Sequence, residues 1–208
     1  MDQLGKQYWA ILSRLSVLVV GFAFVITTPA LANDRITPLF ASDDVITVEL
    51  SGPIRTIARN AARSTDPQDA ILQANGETHR IALSARGVSR RKREVCTFPP
   101  LRVKFAEKPA KNSLFHKQGG IKLVTHCKDD DRYEQVILRE YAAYRLYNLF
   151  TPQSLKVRLA KLRYRDGAKL FAERHGFFIE DIDDAARRMD GKEIDIPRTS
   201  IDSLNVPA

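Results

Sequence analysis

The chain has 208 residues, is 44% hydrophobic and carries a formal net charge of +8. That length fits one domain with a core of ordinary size, and the even composition excludes a low-complexity or repeat protein. The basic balance is compatible with nucleic acid, anionic lipid or phosphate ligands, and equally with solubility alone.

The amino terminus has the pattern of a secretory signal peptide. Lys6 and Arg14 form a positive region, Leu15 to Thr28 is a short apolar run, and Pro29-Ala30-Leu31-Ala32 supplies an Ala-x-Ala cleavage site. The apolar run is shorter than the roughly 20 residues of a membrane span. Residues 1–32 are therefore expected to be removed, leaving an exported chain, periplasmic or extracellular, that starts at Asn33 and has no stable span.

Residues 33–78 are expected to hold a mobile lead-in (Asn33 to Asp44), a strand from Val45 to Leu50 and a short helix from Pro53 to Arg63. The strand is read from apolar alternation and the helix from Pro53 in its first turn. Arg55, Arg59 and Arg63 share one side of that helix and read as a solvated face. Residues 79–190 form the next unit, and 191–208 an irregular tail.

Within 79–190, strands are expected at His79–Arg86, Pro100–Phe105 and Ile121–His126. Between the first two lies a basic loop, Gly87 to Arg93, that reads as a solvated hairpin tip or a phosphate-holding turn. It has no interleaved aromatics, and with export this argues against a nucleic-acid partner. If the second and third strands pair around a Lys108–Gln118 loop, Cys96 and Cys127 come close enough to bridge in an oxidising compartment. A zinc site lacks the spacing and the ligands, and no metal ligand is assigned.

Asp129 to Phe150 predicts one long helix, capped by Asp129, Asp130 and Asp131 and stopped by Thr151-Pro152. Ile137, Leu138, Tyr141, Ala142, Leu146 and Leu149 make one apolar face, with Tyr133, Val136, Ala143, Tyr144 and Tyr147 on a neighbouring one. Such a helix is expected to pack on two sides, and Glu140 within it needs a cationic partner or a water-filled cleft. Leu155–Tyr164 reads as a strand with a bulge near Leu159-Ala160, Asp166-Gly167 as a turn, and Gly176–Ile179 as a returning strand. Glu180 to Asp184 is an acidic connection that caps a short helix, Asp184–Met189.

The fold class is thus α+β, an antiparallel sheet with one long packed helix. Its order of three strands, helix, two strands, acidic connection and short helix resembles the small amino-terminal lobe of a kinase-like fold. The residues are similar to those of the CotH-like atypical protein kinases. The segments that carry the likeness are Ala85-Arg86-Gly87-Val88-Ser89, Leu101-Arg102-Val103-Lys104-Phe105, Gly119-Gly120-Ile121-Lys122-Leu123, Leu138-Arg139-Glu140 with Ala143-Tyr144, and Gly176 through Asp183. They span roughly Ile81 to Arg188.

The resemblance implies a nucleotide-clamping lobe in which a strand lysine neutralises phosphates and a helix carboxylate aligns it. Lys122 and Glu140 are the expected pair, with Lys104 as the alternative lysine; otherwise Glu140 pairs with Arg145 or Arg163 and holds no ligand. The sequence departs from the family in having one glycine, Gly87, at the phosphate loop, and in ending soon after Asp184 without a catalytic lobe. No catalytic residue is assigned. The expectation is no phosphotransfer, and no cofactor, in the isolated chain, with ATP and Mg²⁺ joining when a second lobe is supplied. That missing lobe, or self-association, is the expected partner. The other function classes are a non-catalytic periplasmic or cell-surface interaction domain and, from charge alone, a lipid- or polyanion-binding protein.

Overall fold

The computed structural model describes residues 36–195. The expected leader, its cleavage site and the tail beyond residue 195 lie outside the described residues. Seven strands form a closed barrel: β1 (Ile46–Ser51), β2 (Gln68–Ala74), β3 (Glu77–Ala85), β4 (Leu101–Phe105), β5 (Gly120–Val124), β6 (Val157–Asp166) and β7 (Lys169–Ile179), arranged β1-β2-β3-β4-β5-β7-β6. Three α-helices accompany it among the described residues: α1 (Ile54–Asn60), α2 (Asp131–Phe150) and α3 (Ile182–Arg188). The mixed α and β composition agrees with the expected class.

The sheet is not wholly antiparallel, because β1 and β6 run parallel, from Ile46 opposite Ala160 to Ser51 opposite Arg165. The reason is topological. A ring with an odd number of strands cannot alternate direction all the way round, so closure over seven requires one parallel pair. Closure also removes the exposed edges that an open sheet would leave.

Alternation along each strand fills the barrel. Val48, Leu50, Leu72, Leu83, Val103, Ile121, Leu123, Leu162 and Phe178 are completely buried in one apolar cluster. β2 has no counterpart in the sequence reading. It pairs with β3 through Asn75 and Gly76, both at positive φ (52° and 75°), the backbone that matches a two-residue hairpin to strand twist. The register shift in the β6–β7 hairpin falls between Tyr164 and Arg165 rather than at Leu159-Ala160. β7 is also longer than its apolar end, Gly176–Ile179. Its outer arm is held by Glu173, which meets Lys161 at 2.7 Å and Arg163 at 3.1 Å. At Gly176, a Cβ would lie 2.4 Å from both the Leu162 side chain and the Val124 carbonyl, so only glycine lets these strands approach so closely.

Two segments read as loops are parts of the core. Thr37, Leu39 and Phe40 are buried, and Arg158 donates to the carbonyls of Leu39, Ser42 and Asp44, so residues 36–44 are docked rather than a mobile lead-in. The Lys108–Gln118 loop buries Phe115 completely, and Glu77 fastens it by accepting from Ser113 and from the Leu114 amide at 2.8 Å. Both corrections have one cause: a barrel has open ends, and aromatic side chains from connecting segments fill them.

α2 begins as expected, with the Asp130 carboxylate accepting from the Arg132 amide at 2.8 Å, and ends at Thr151. It does not pack on two sides. Ile137 is its one buried residue, and Tyr141 and Tyr144 each sit 5.8 Å from the Phe177 ring, forming a narrow stripe against Val124, Val157 and Ile179 on the outside of β5, β6 and β7. Val136, Leu146, Tyr147, Leu149 and Phe150 are more than half exposed. The barrel core is complete without the helix, so only one face of α2 finds a partner within the described residues.

Candidate functional site

The outer surface of β3, β4 and β5, beside α2, gathers most of the residues that the sequence singles out. Lys122 on β5 lies directly across the ladder from Arg102 on β4. Arg102 in turn lies across from Ser84 on β3. Gly120 makes room for this: a Cβ there would stand 3.3 Å from the Arg102 guanidinium, which leans over the glycine. Lys104, the alternative lysine, faces outward two residues further along β4, opposite Gly120 and Ala82. Arg102, not Lys104, is therefore the immediate neighbour of Lys122.

Glu140 meets a different cation from any foreseen. Its carboxylate is 3.8 Å from Arg90, and among the described residues no ion pair within 4 Å joins it to Lys122. Arg145 instead binds Asp43, and Arg163 reaches Glu49 and Glu173. Arg90 comes from the basic loop, where a short 3-10 turn (Ser89–Arg91) folds it inward. Its guanidinium donates to the Thr125 carbonyl at 2.9 Å, so this part of the loop is tucked against the barrel end rather than a solvated tip. Asp181 closes the other side, 3.5 Å from Arg102, while capping α3 by accepting from the Ile182 amide at 2.7 Å. The acidic connection is a helix cap, as its sequence suggests.

The electrostatics of this face are set by crowded cations. Burial lowers the pKa of Arg86, and the neighbouring Arg102 and Arg90 lower it further. Burial also lowers that of Arg90, against the opposing pull of Glu140. The Tyr144 hydroxyl is pushed up, first by burial and then by Glu140. Arg86, Arg90, Arg102 and Lys122 share this face with the carboxylates of Glu140, Asp181 and Glu193, the last of which is hydrogen-bonded to Asp183 and interacts with Lys122. The paired donors of the guanidiniums are suited to a phosphate or carboxylate. Arg86 and Arg90 could be found in the sequence as the charged flanks of Gly87, but nothing there shows which of the loop's arginines turn inward.

The fit to the groups implied by the resemblance is uneven. The cationic face suits nucleotide phosphates. Among the described residues there is no cluster of three or more His, Cys, Asp or Glu side chains that could hold a metal ion.

Behind the face, Cys96 and Cys127 form a disulfide, with their Cα atoms 4.7 Å apart, as the hairpin register implies. It ties the start of β4 to the turn after β5, where Cys127 itself has φ of 61°. Next to it His126 is 1% exposed and stacked on Phe98, ring centroids 4.6 Å apart. Burial, the largest influence, holds His126 down at about 4; Arg174 and Arg90 also lower it, while Asp129 and Glu134 oppose.

That shift predicts acid sensitivity. The folded state binds the proton less well than the unfolded chain, so this contribution is full above about pH 6.5 and is lost as the pH falls to about 4. The loss is about 3 kcal/mol. Urea denaturation at several pH values, beside His126→Phe, checks it: the substitution is expected to flatten the acid side, and an unchanged slope would contradict the assignment.

Compared with known protein families and with curated proteins, the chain matches none. Among the described residues no helix is long and apolar enough to cross a membrane.

Proposed function

We propose that this is an exported domain whose cationic barrel face clamps the phosphates of a nucleotide, as the amino-terminal lobe of CotH-like phosphotransferases is expected to do, without transferring phosphate alone. The observation that carries the reading is the placement of Lys122 across from Arg102, with Arg86 and Arg90 beside them and Glu140 of α2 at the edge. The run β3-β4-β5-β7-β6, with α2 inserted between β5 and β6, supports the kinase-like reading. The Cys96–Cys127 bridge supports export, because such bonds persist in oxidising compartments. The exposure of this face supports the expectation of no transfer. The Arg102 side chain is 47% accessible, and phosphates held against an open wall stay hydrated, where electrostatic stabilisation of a transition state is weak.

A second reading, a non-catalytic interaction domain, is favoured by the exposed apolar side of α2, with Leu149 79% and Phe150 76% accessible. Exposed patches of this kind mark protein interfaces.

The test is incubation of the purified protein with labelled ATP and Mg²⁺ or Mn²⁺, with binding followed by NMR. Saturable, salt-sensitive ATP binding is expected, weakened about tenfold by Lys122→Ala or Arg102→Ala, with no labelled product. Labelled product that Lys122→Ala abolishes would overturn the inactive reading. Absence of ATP binding would leave the interaction domain, and preferential binding to anionic vesicles would favour a lipid-binding role.

A further inference from the structure

At the barrel end capped by α1 there is a second cavity, of about 460 Å³, separate from the Lys122 face. Its basic lining is Arg55 and Arg59 from α1 and Arg93 from the loop preceding Cys96. Its apolar lining is Phe98 and Phe171, whose ring centroids are 5.8 Å apart, and Arg55 lies 5.5 Å over the Phe171 ring. His126 also lines it.

Three features distinguish this cavity from an ordinary surface hollow. First, none of the three guanidiniums has an ion pair within 4 Å among the described residues, although they come from two separate segments and converge on one space. The one carboxylate in the lining, Asp129, is already taken by Arg174 at 2.8 Å. Second, the Nδ1 of His126, a residue of the lining, is buried and has no hydrogen-bond partner. A native interior rarely leaves polar atoms unpaired unless a ligand or water completes them. Third, the walls are fastened. The disulfide joins the residue after His126 to the segment that carries Arg93 and Phe98, and the Phe98 amide donates to the Cys127 carbonyl at 2.9 Å.

We infer that this cavity binds a small ring-bearing anion. Its flat part would lie against Phe171, the partly exposed ring of the lining, with the buried Phe98 closing the wall behind it, and its phosphate or carboxylate would meet Arg59 and Arg93. The volume falls in the range of small-molecule pockets, and an aromatic floor with a few convergent polar groups is their usual construction. Stacking surfaces select the ring, and guanidinium forks select the anionic head. Arg55, Arg59 and Arg63 are all exposed, as the sequence reading has them; Arg55 and Arg59 also line the cavity, and Arg63, one turn further, does not.

The two sources of the anion, an aryl carboxylate and an aryl phosphate, are separated by titrating the oxidised protein with benzoate and with phenyl phosphate while following the His126 ring signals by NMR. Inorganic phosphate serves as the ring-free control and benzyl alcohol as the charge-free one. Saturable shifts with one or both aryl anions are expected, and weaker ones with either control. Arg59→Gln with Arg93→Gln should weaken binding at least about tenfold. Both side chains are exposed, so an unchanged amide spectrum will show that the fold is retained. Arg63→Gln should leave binding unchanged. No saturable shift with either aryl anion, inorganic phosphate binding as well as phenyl phosphate, or an equal loss in Arg63→Gln would each overturn the inference.

Discussion

Arg188→Met is expected to destabilise the fold by about 3–5 kcal/mol, because it leaves a buried carboxylate without its cation. The Arg188 and Glu180 side chains are 4% and 2% accessible. Two parallel bonds join them, Nε to Oε1 at 3.0 Å and Nη2 to Oε2 at 2.8 Å. Arg188 also donates to the carbonyls of Pro152 at 2.9 Å and Ser154 at 2.6 Å, and Glu180 accepts from the Lys156 amide at 2.9 Å. The pair therefore locks three segments together: the end of β7, α3, and the connection from α2 to β6. Removing both charges in Arg188→Met with Glu180→Leu should recover part of the loss, since no buried charge is left unpaired, while the Pro152 and Ser154 carbonyls and the Lys156 amide still lose these partners. Urea denaturation of the two single variants and the double variant gives the coupling directly. A single-variant cost below about 1 kcal/mol would mean the pair is solvated in solution.

That lock bears on the acidic connection. Within the acidic connection, Glu180 is committed to Arg188, and Asp181 to the cap of α3 and to Arg102.

The parts legible in the sequence are those governed by local rules. The Asp130 cap, the stop at Thr151-Pro152, the alternating strands β1 and β3 to β5, and the cysteine pair each follow from a short pattern. β2 was legible too, through Asn75-Gly76, but its alternation is diluted by Gln68, a polar residue at the start of its inward face, and its outward face is mostly polar, with Asp69 and Gln73. What no local pattern could supply was closure. The parallel β1–β6 pair joins residues more than a hundred positions apart, and the docking of Leu39, Phe40 and Phe115 depends on the barrel ends that closure creates. The partner of Glu140 was hidden for a similar reason. Helical spacing shows which face carries Glu140, whereas the arrival of Arg90 depends on how an irregular loop folds over the barrel rim. The exposure of Leu146, Leu149 and Phe150 was obscured because an apolar helix face reads the same whether or not a partner covers it.

Breaking the Cys96–Cys127 bridge is expected to be the other large perturbation. The bond closes a loop over a sequence separation of 31, for which loss of chain entropy in the unfolded state corresponds to about 3–4 kcal/mol. That loop contains β4, the Phe115 plug and β5, so the bridge fastens the base of a hairpin whose strands line the core. The Cys127 carbonyl accepts from the Phe98 amide at 2.9 Å, and Phe98 packs 4.7 Å from Tyr164 and 4.6 Å from His126, ring to ring. Loosening the bridge therefore releases the aromatic floor of the second cavity along with the hairpin. Paired Cys96→Ser and Cys127→Ser substitutions should lower the urea midpoint accordingly, and the His126 ring signals should lose the shift imposed by Phe98. Mass analysis of the non-reduced protein should show a chain two hydrogens lighter than its reduced form. A doubly substituted protein with wild-type stability and an intact His126–Phe98 stack would show instead that packing alone holds the barrel end together.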